Sequence, residues 1–140
     1  MTDGDSLEGL RVLVLEDDYY LATDTANALA EAGATVVGPV NDAAQAVACA
    51  ESEQLDCAVL DINLGEGPSY KAARSLKARG IPFIFVTGYD QSIIPAEFRS
   101  ATQLQKPLVE SLLIKAVAEL CREKAAPAPL SAARSSVPPS

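Results

Sequence analysis

Cys57-Ala58-Val59-Leu60-Asp61 is a short apolar run closed by a carboxylate, and Asn63-Leu64-Gly65-Glu66-Gly67-Pro68 behind it reads as a loop. An apolar run this short, bounded by turn residues, suits a strand buried on both faces. Three other runs end the same way. Leu10-Arg11-Val12-Leu13-Val14-Leu15 leads into Glu16 and Asp17, Pro82-Phe83-Ile84-Phe85-Val86 into Thr87, and Thr102-Gln103-Leu104-Gln105 into Lys106 and Pro107. If the runs are parallel strands, their terminal side chains gather at one carboxyl edge, where open α/β sheets bind ligands. Three carboxylates, a hydroxyl and an ammonium at that edge make a site for a divalent cation and a phosphoryl group.

Longer amphipathic stretches separate the runs, which signals βα units around a parallel sheet. The first strand is expected at about 10–16. A helix begins around Tyr20 and ends near Gly33, a C-cap candidate. Thr35-Val36-Val37-Gly38 is the second strand, and Asn41 or Asp42 can cap an alanine-rich helix over about 42–53. The third strand spans about 57–61, and Ser69 can cap a helix over about 69–79. The fourth strand opens at Pro82. Residues 88–100, punctuated by Gly88 and Pro95, have a poor helical pattern and few apolar anchors, so a short or mobile helix is expected. The fifth strand is about 102–105. The last helix, about 109–124, carries Leu112, Leu113, Ala116, Val117, Leu120 and Cys121 on one face. Tyr19, Tyr20 and Tyr70 read as packing residues and Asp18 as solvent-facing. The resulting fold class is α/β, a doubly wound sandwich with five parallel strands in the order 2-1-3-4-5.

Composition narrows the function. The 140 residues suffice for one domain with a real core, and 49% of them are hydrophobic. Apolar runs fall far short of the ~20 residues of a membrane-spanning helix. The start, Met1-Thr2-Asp3-Gly4-Asp5-Ser6, has no signal-peptide character, so a cytoplasmic location is expected. Cys49, Cys57 and Cys121 fit neither a disulfide framework nor a zinc motif. There is no histidine, which excludes a histidine phosphodonor, a His-bearing triad and histidine metal ligands. With a net charge of −8 and no basic stripe, a nucleic-acid footprint is missing.

Acidic pair, single aspartate, Thr-Gly and Lys-Pro, in this order and at this length, resemble the receiver domain of bacterial response regulators, which is flavodoxin-like. Each motif alone is weak; the set is specific, and the resemblance covers roughly residues 9–124. It implies that Asp61 accepts a phosphoryl group from a histidine kinase. It implies that Glu16, Asp17 and Asp61 hold Mg²⁺, with the backbone carbonyl of Asn63 as a further ligand. Thr87 would hydrogen-bond the phosphoryl oxygens, Lys106 would pair with them, and the Lys106–Pro107 bond would be cis. The physics agrees. Two like charges ~4 Å apart repel by about 4 kcal/mol at an effective dielectric of ~20, so clustered carboxylates need a cation. Mg²⁺ takes oxygen ligands, and phosphoryl transfer needs mostly positioning and charge neutralisation.

Two features depart from the family pattern. Receivers often carry an aromatic switch residue three positions before the lysine, and Gln103 stands there. Phe85-Val86-Thr87-Gly88-Tyr89 is similar instead to a Phe-Ala-Thr-Gly subgroup of receivers, many of them stand-alone regulators of alphaproteobacteria. That subgroup is associated with HWE and related histidine kinases and with a mobile segment after the fourth strand. Val86 replaces its usual alanine. The second departure is that the 16 residues after 124 are too few for an output domain, so a receiver acting alone is expected if the chain is complete. The expected organisation is a flexible N-terminus over 1–8, a receiver over 9–124 and a disordered Pro/Ala/Ser-rich tail over 125–140. Such a chain would signal to an unknown downstream protein by contact, or drain phosphoryl groups, without nucleic acid or membrane. Alternatives are a receiver-like module that works without phosphorylation, and an excised receiver of a larger regulator. A haloacid-dehalogenase-type phosphatase is disfavoured because Asp61-Ile62-Asn63 lacks a second aspartate, and a cobalamin carrier because histidine is absent.

Overall fold

The computed structural model describes residues 6–64, 67–68, 70–88 and 94–125. Five strands, β1 (Arg11–Leu15), β2 (Thr35–Val40), β3 (Cys57–Asp61), β4 (Phe83–Thr87) and β5 (Thr102–Gln105), form one parallel sheet in the order β2-β1-β3-β4-β5. Four helices accompany them: α1 (Tyr19–Glu31), α2 (Ala43–Ser52), α3 (Lys71–Ala78) and α4 (Glu110–Ala125). The expected α/β fold and strand order are therefore present. The chain moves one way from β1 to β2 and the other way from β2 to β3 and beyond. Right-handed crossovers then require helices on both faces and leave a crevice between β1 and β3.

Alternation along each strand fills the two layers. Leu13, Leu15, Ala58, Leu60, Phe83 and Phe85 face α2 and α3. Val12, Val14, Cys57, Val59, Ile84 and Val86 face α1 and α4. The strands read as continuous apolar runs because both their faces are covered. Helix starts follow local chemistry: Asp18 Oδ1 accepts from the Leu21 N–H at 3.0 Å, and Asp42 Oδ1 from the Gln45 N–H at 2.8 Å. Gly33, past the end of α1, has φ +108°, and a Cβ there would lie 2.9 Å from the Glu8 nitrogen.

Several expectations change. The packed domain starts at residue 7, inside the stretch expected to be flexible: Leu7 is fully buried and its N–H donates to the Ala32 carbonyl at 2.8 Å. Residues 1–5 of that stretch lie outside the described residues. β2 runs on to Val40 through a cis Gly38–Pro39 bond and a register shift between Leu13 and Leu15. Within the expected loop, Asn63–Leu64 pairs antiparallel with Gly67–Pro68. α3 begins at Lys71 with Tyr70 at the cap position and no side-chain cap bond; Ser69 lies outside the described residues.

From Ile94 on, the segment after β4 is better anchored than its composition suggests. Residues 89–93, and Tyr89 with them, lie outside the described residues, but Ala96–Phe98 forms a 3-10 turn. Ile94 and Phe98 are buried against the α2–α3 layer. Tyr19 and Tyr20 are 75% and 77% exposed, because α1 turns Ala22, Thr25, Ala28 and Leu29 inward instead; Tyr70 does pack, against Phe85 and Phe98. No helix among the described residues is long and apolar enough to cross a membrane.

On α4 the inward stripe is Leu113, Val117 and Cys121, at the i, i+4, i+8 spacing of one helix face, while Leu112 is 53% exposed. Leu113→Ala should cost about 2–5 kcal/mol in urea unfolding. Leu112→Ala should stay within about 0.5 kcal/mol of wild type. Equal losses would contradict the packing of this helix.

Candidate functional site

Strand register alone aligns the site. Leu15 pairs with Leu60, Asp61 with Val86, and Thr87 with Gln105. Glu16, Asp61, Thr87 and Lys106 therefore stand at neighbouring strand ends, and the Lys106 N–H donates to the Thr87 carbonyl at 2.7 Å. Buried polar or charged residues among those described are Glu16, Thr25, Asp61 and Thr87, so three of the four lie in this cluster. Asp61 is 2% exposed. A polar side chain is kept that deep only with partners.

The partners are visible. Lys106 Nζ lies 3.2 Å from Asp61 Oδ2 and 3.3 Å from Glu16 Oε1. The Asn63 N–H donates to the other Asp61 oxygen, Oδ1, at 3.1 Å, and the Asp18 N–H donates to Glu16 Oε2 at 3.0 Å. Lys106–Pro107 is cis, as the resemblance implies. Glu16, Asp17 and Asp61 each offer a carboxylate oxygen within 4.8 Å of the others. Three oxygen donors at that spacing, with Asp17 exposed on the open side, fit a hard divalent cation of the Mg²⁺ kind, which keeps waters on its remaining positions. All six residues singled out from the sequence, Glu16, Asp17, Asp61, Asn63, Thr87 and Lys106, thus belong to one edge. Asp18 is exposed, as read from the sequence, but sequence reasoning missed that it caps α1 with its side chain and holds Glu16 with its backbone N–H. The cap could have been read from an aspartate directly before a helical pattern.

Electrostatics record the crowding. Burial pushes the Glu16 carboxyl up from 4.5 to about 7; the Asp18 N–H opposes this, Asp61 adds to it, and Lys106 opposes it again. Burial works against the Lys106 charge, but Asp61 and Glu16 outweigh it and hold the ammonium above its ordinary value.

A scan against family models matches residues 12–118 to the response regulator receiver domain. The chain belongs to that family. Among curated proteins it is 31% identical over 120 residues to the transcriptional regulatory protein PdtaR of Mycobacterium tuberculosis, covering 83% of this chain and 58% of PdtaR. The chain thus spans a little under three-fifths of the length of that relative. Among solved structures it is similar to SdrG from Sphingomonas melonis Fr1, at 37% identity and a TM-score of 0.70 over 79% of this chain and 95% of SdrG. SdrG in its BeF3-activated conformation gives a TM-score of 0.68 at the same identity, again over 79% of this chain and 95% of that one. The receiver domain of the sensor histidine kinase PA1611 from Pseudomonas aeruginosa, solved with a magnesium ion coordinated in its active-site cleft, is 25% identical. Its TM-score is 0.68 over 81% of this chain and 98% of that one. A receiver is a signalling domain of two-component systems rather than an enzyme in the usual sense, and this chain is one.

The Glu16 shift has a sign that can be checked. An unfolded chain ionises Glu16 near 4.5, so between that value and about 7 the folded state holds an extra proton and loses stability as pH rises. Glu16→Gln removes that loss. In chelator, the variant should unfold about 1–3 kcal/mol later than wild type at pH 8, with most of the advantage gone at pH 4.5. An advantage that does not grow with pH would refute the assignment.

Proposed function

We propose that this receiver accepts a phosphoryl group on Asp61 in a Mg²⁺-dependent reaction with a histidine kinase, and signals by protein contact or drains phosphoryl groups. The observation that carries the proposal is a carboxylate buried at the end of β3, paired with an ammonium at 3.2 Å and flanked by two further carboxylates. Asp61 Oδ attacks the phosphorus, and the bond from phosphorus to the kinase imidazole nitrogen breaks. The electron pair stays on that nitrogen, and because the other ring nitrogen of the phosphohistidine carries a proton, the kinase histidine leaves neutral. The Asn63 N–H fixes one Asp61 oxygen, so the carboxylate is oriented before reaction. Lys106 balances charge that would otherwise repel an incoming phosphoryl group. Thr87 would donate to a phosphoryl oxygen. Glu16, Asp17 and Asp61 would hold Mg²⁺, with the Asn63 carbonyl as a further oxygen. When bound, the ion supplies positive charge against the phosphoryl oxygens.

The kinase is proposed to come from the HWE or a related family, on the Phe-Val-Thr-Gly sequence before Tyr89. The location proposed is the cytoplasm, where a histidine kinase would meet the chain. Its downstream partner is a protein reached without nucleic acid or membrane. The organisation proposed is one receiver followed by a tail from residue 125 that the chemistry does not need.

Two measurements test this. Acetyl phosphate with mass spectrometry should add one phosphoryl group to wild type and none to Asp61→Asn. Equal labelling would move the acceptor elsewhere, and no labelling of wild type would favour a module that works without phosphorylation. Millimolar Mg²⁺ should raise the melting temperature above that in chelator, since a ligand bound only by the folded state stabilises it. Asp17→Ala should remove most of that rise, and an undiminished rise would exclude Asp17 as a ligand.

A further inference from the structure

Phe98 is 1% exposed and is the meeting point of two elements that end at the site. Its ring stands 5.7 Å from that of Phe85, which lies two residues before Thr87 on β4. It stacks on Tyr70 at 5.9 Å with an interplanar angle of 19°. Tyr70 opens α3, at the far end of the stretch that begins with Asp61, and also meets Phe85 edge-on at 5.9 Å.

α3 reaches the same turn with two more side chains. Lys77 Nζ donates to the Glu97 carbonyl at 2.8 Å and stands 5.5 Å from the centre of the Phe98 ring. Arg74 pairs with Glu97 Oε2 at 3.4 Å, and its guanidinium carbon is 5.8 Å from the same ring centre. Residues 70, 74 and 77 are spaced i, i+4, i+7, one stripe of a helix. On its other side the turn borders an open-sided cavity of about 510 Å³, lined among others by Lys77, Phe83, Phe98, Ala101 and Leu120. The turn is thus gripped from α3 and has space beside it, the arrangement of an element with two positions.

We infer that the α3 stripe of Tyr70, Arg74 and Lys77 clamps the Ala96–Phe98 turn and relays the state of Asp61 to it. The clamp is a property of the free protein. The relay rests on the phosphoacceptor role proposed above. Gln103 is exposed on edge strand β5 and brings no ring to this cluster, so the rings between site and turn are Phe85 on β4 and Tyr70, which touches both Phe85 and Phe98 and is the one α3 carries.

Each part has its own test on the full chain. The Phe98, Arg99 and Ala101 amides are bonded within the turn, to Pro95, Ala96 and Phe98, so hydrogen exchange reads its opening. In Arg74→Gln/Lys77→Gln they should exchange roughly tenfold faster than in wild type, while Val14 and Val59 in the sheet keep their rates. Unchanged exchange at the turn would overturn the clamp. For the relay, beryllofluoride with Mg²⁺ should shift the NMR signals of Asn63 and Thr87 equally in wild type and Tyr70→Leu. Acetyl phosphate should also label the two equally. The accompanying shifts at Phe98–Ala101 should shrink to a minor fraction in the variant. Full shifts there in Tyr70→Leu would overturn the relay. A wild type that neither shifts nor labels would overturn the phosphoacceptor role and the relay together, and the exchange result would still decide the clamp.

Discussion

Two carboxylates buried beside one ammonium set the terms for the rest of this molecule. Glu16 and Asp61 are 7% and 2% exposed, and Lys106 serves both. With both acids ionised the group carries a net negative charge in a poorly solvated place, which is costly. Backbone donors at Asp18 and Asn63 take up part of the cost, and the raised affinity of Glu16 for a proton shows that the rest is not offset. Without a bound cation, an acid at position 16 therefore leaves the fold less stable above neutral pH than a neutral residue there would.

The sheet exists to hold that arrangement in register. Parallel pairing, with both faces covered by helices, lets four strand ends stop level with one another. The strand interiors supply apolar contacts that do not depend on the site. The family comparison agrees with this division: the match over residues 12–118 spans all five strands, and the similarity to PdtaR, SdrG and the PA1611 receiver extends along most of the chain.

Much of this was legible in the sequence because period and punctuation are strong signals when strands are short and doubly buried. The five strands and the five polar residues at their ends follow from apolar runs and what ends them, while Asn63 came with the family resemblance and the strand order with the fold class. What was not legible depends on single contacts. Leu7 packs although its neighbours are polar. Phe98 is enclosed by Tyr70, Phe83 and Phe85, residues 13 to 28 positions away in the chain, and local composition cannot report them. Leu112 and Leu113 are equal in any hydrophobic pattern, and only the tilt of α4 on the sheet decides which one turns inward. Tyr19 and Tyr20 are large and apolar enough to suggest burial, but alanines already fill the inward face of α1.

The Lys106–Asp61 pair joins residues 45 positions apart, and Glu16 comes from a third, earlier segment. No local fragment contains the site. β1, β3 and β5 must all be in the sheet before the ammonium meets either acid, and β5 is an edge strand that comes last in the chain. Pairings of such long sequence separation form late, after most of the loop-closure entropy has been lost. Nascent or partly unfolded chains therefore carry the acidic residues without the geometry. Completion of folding is itself what assembles the site.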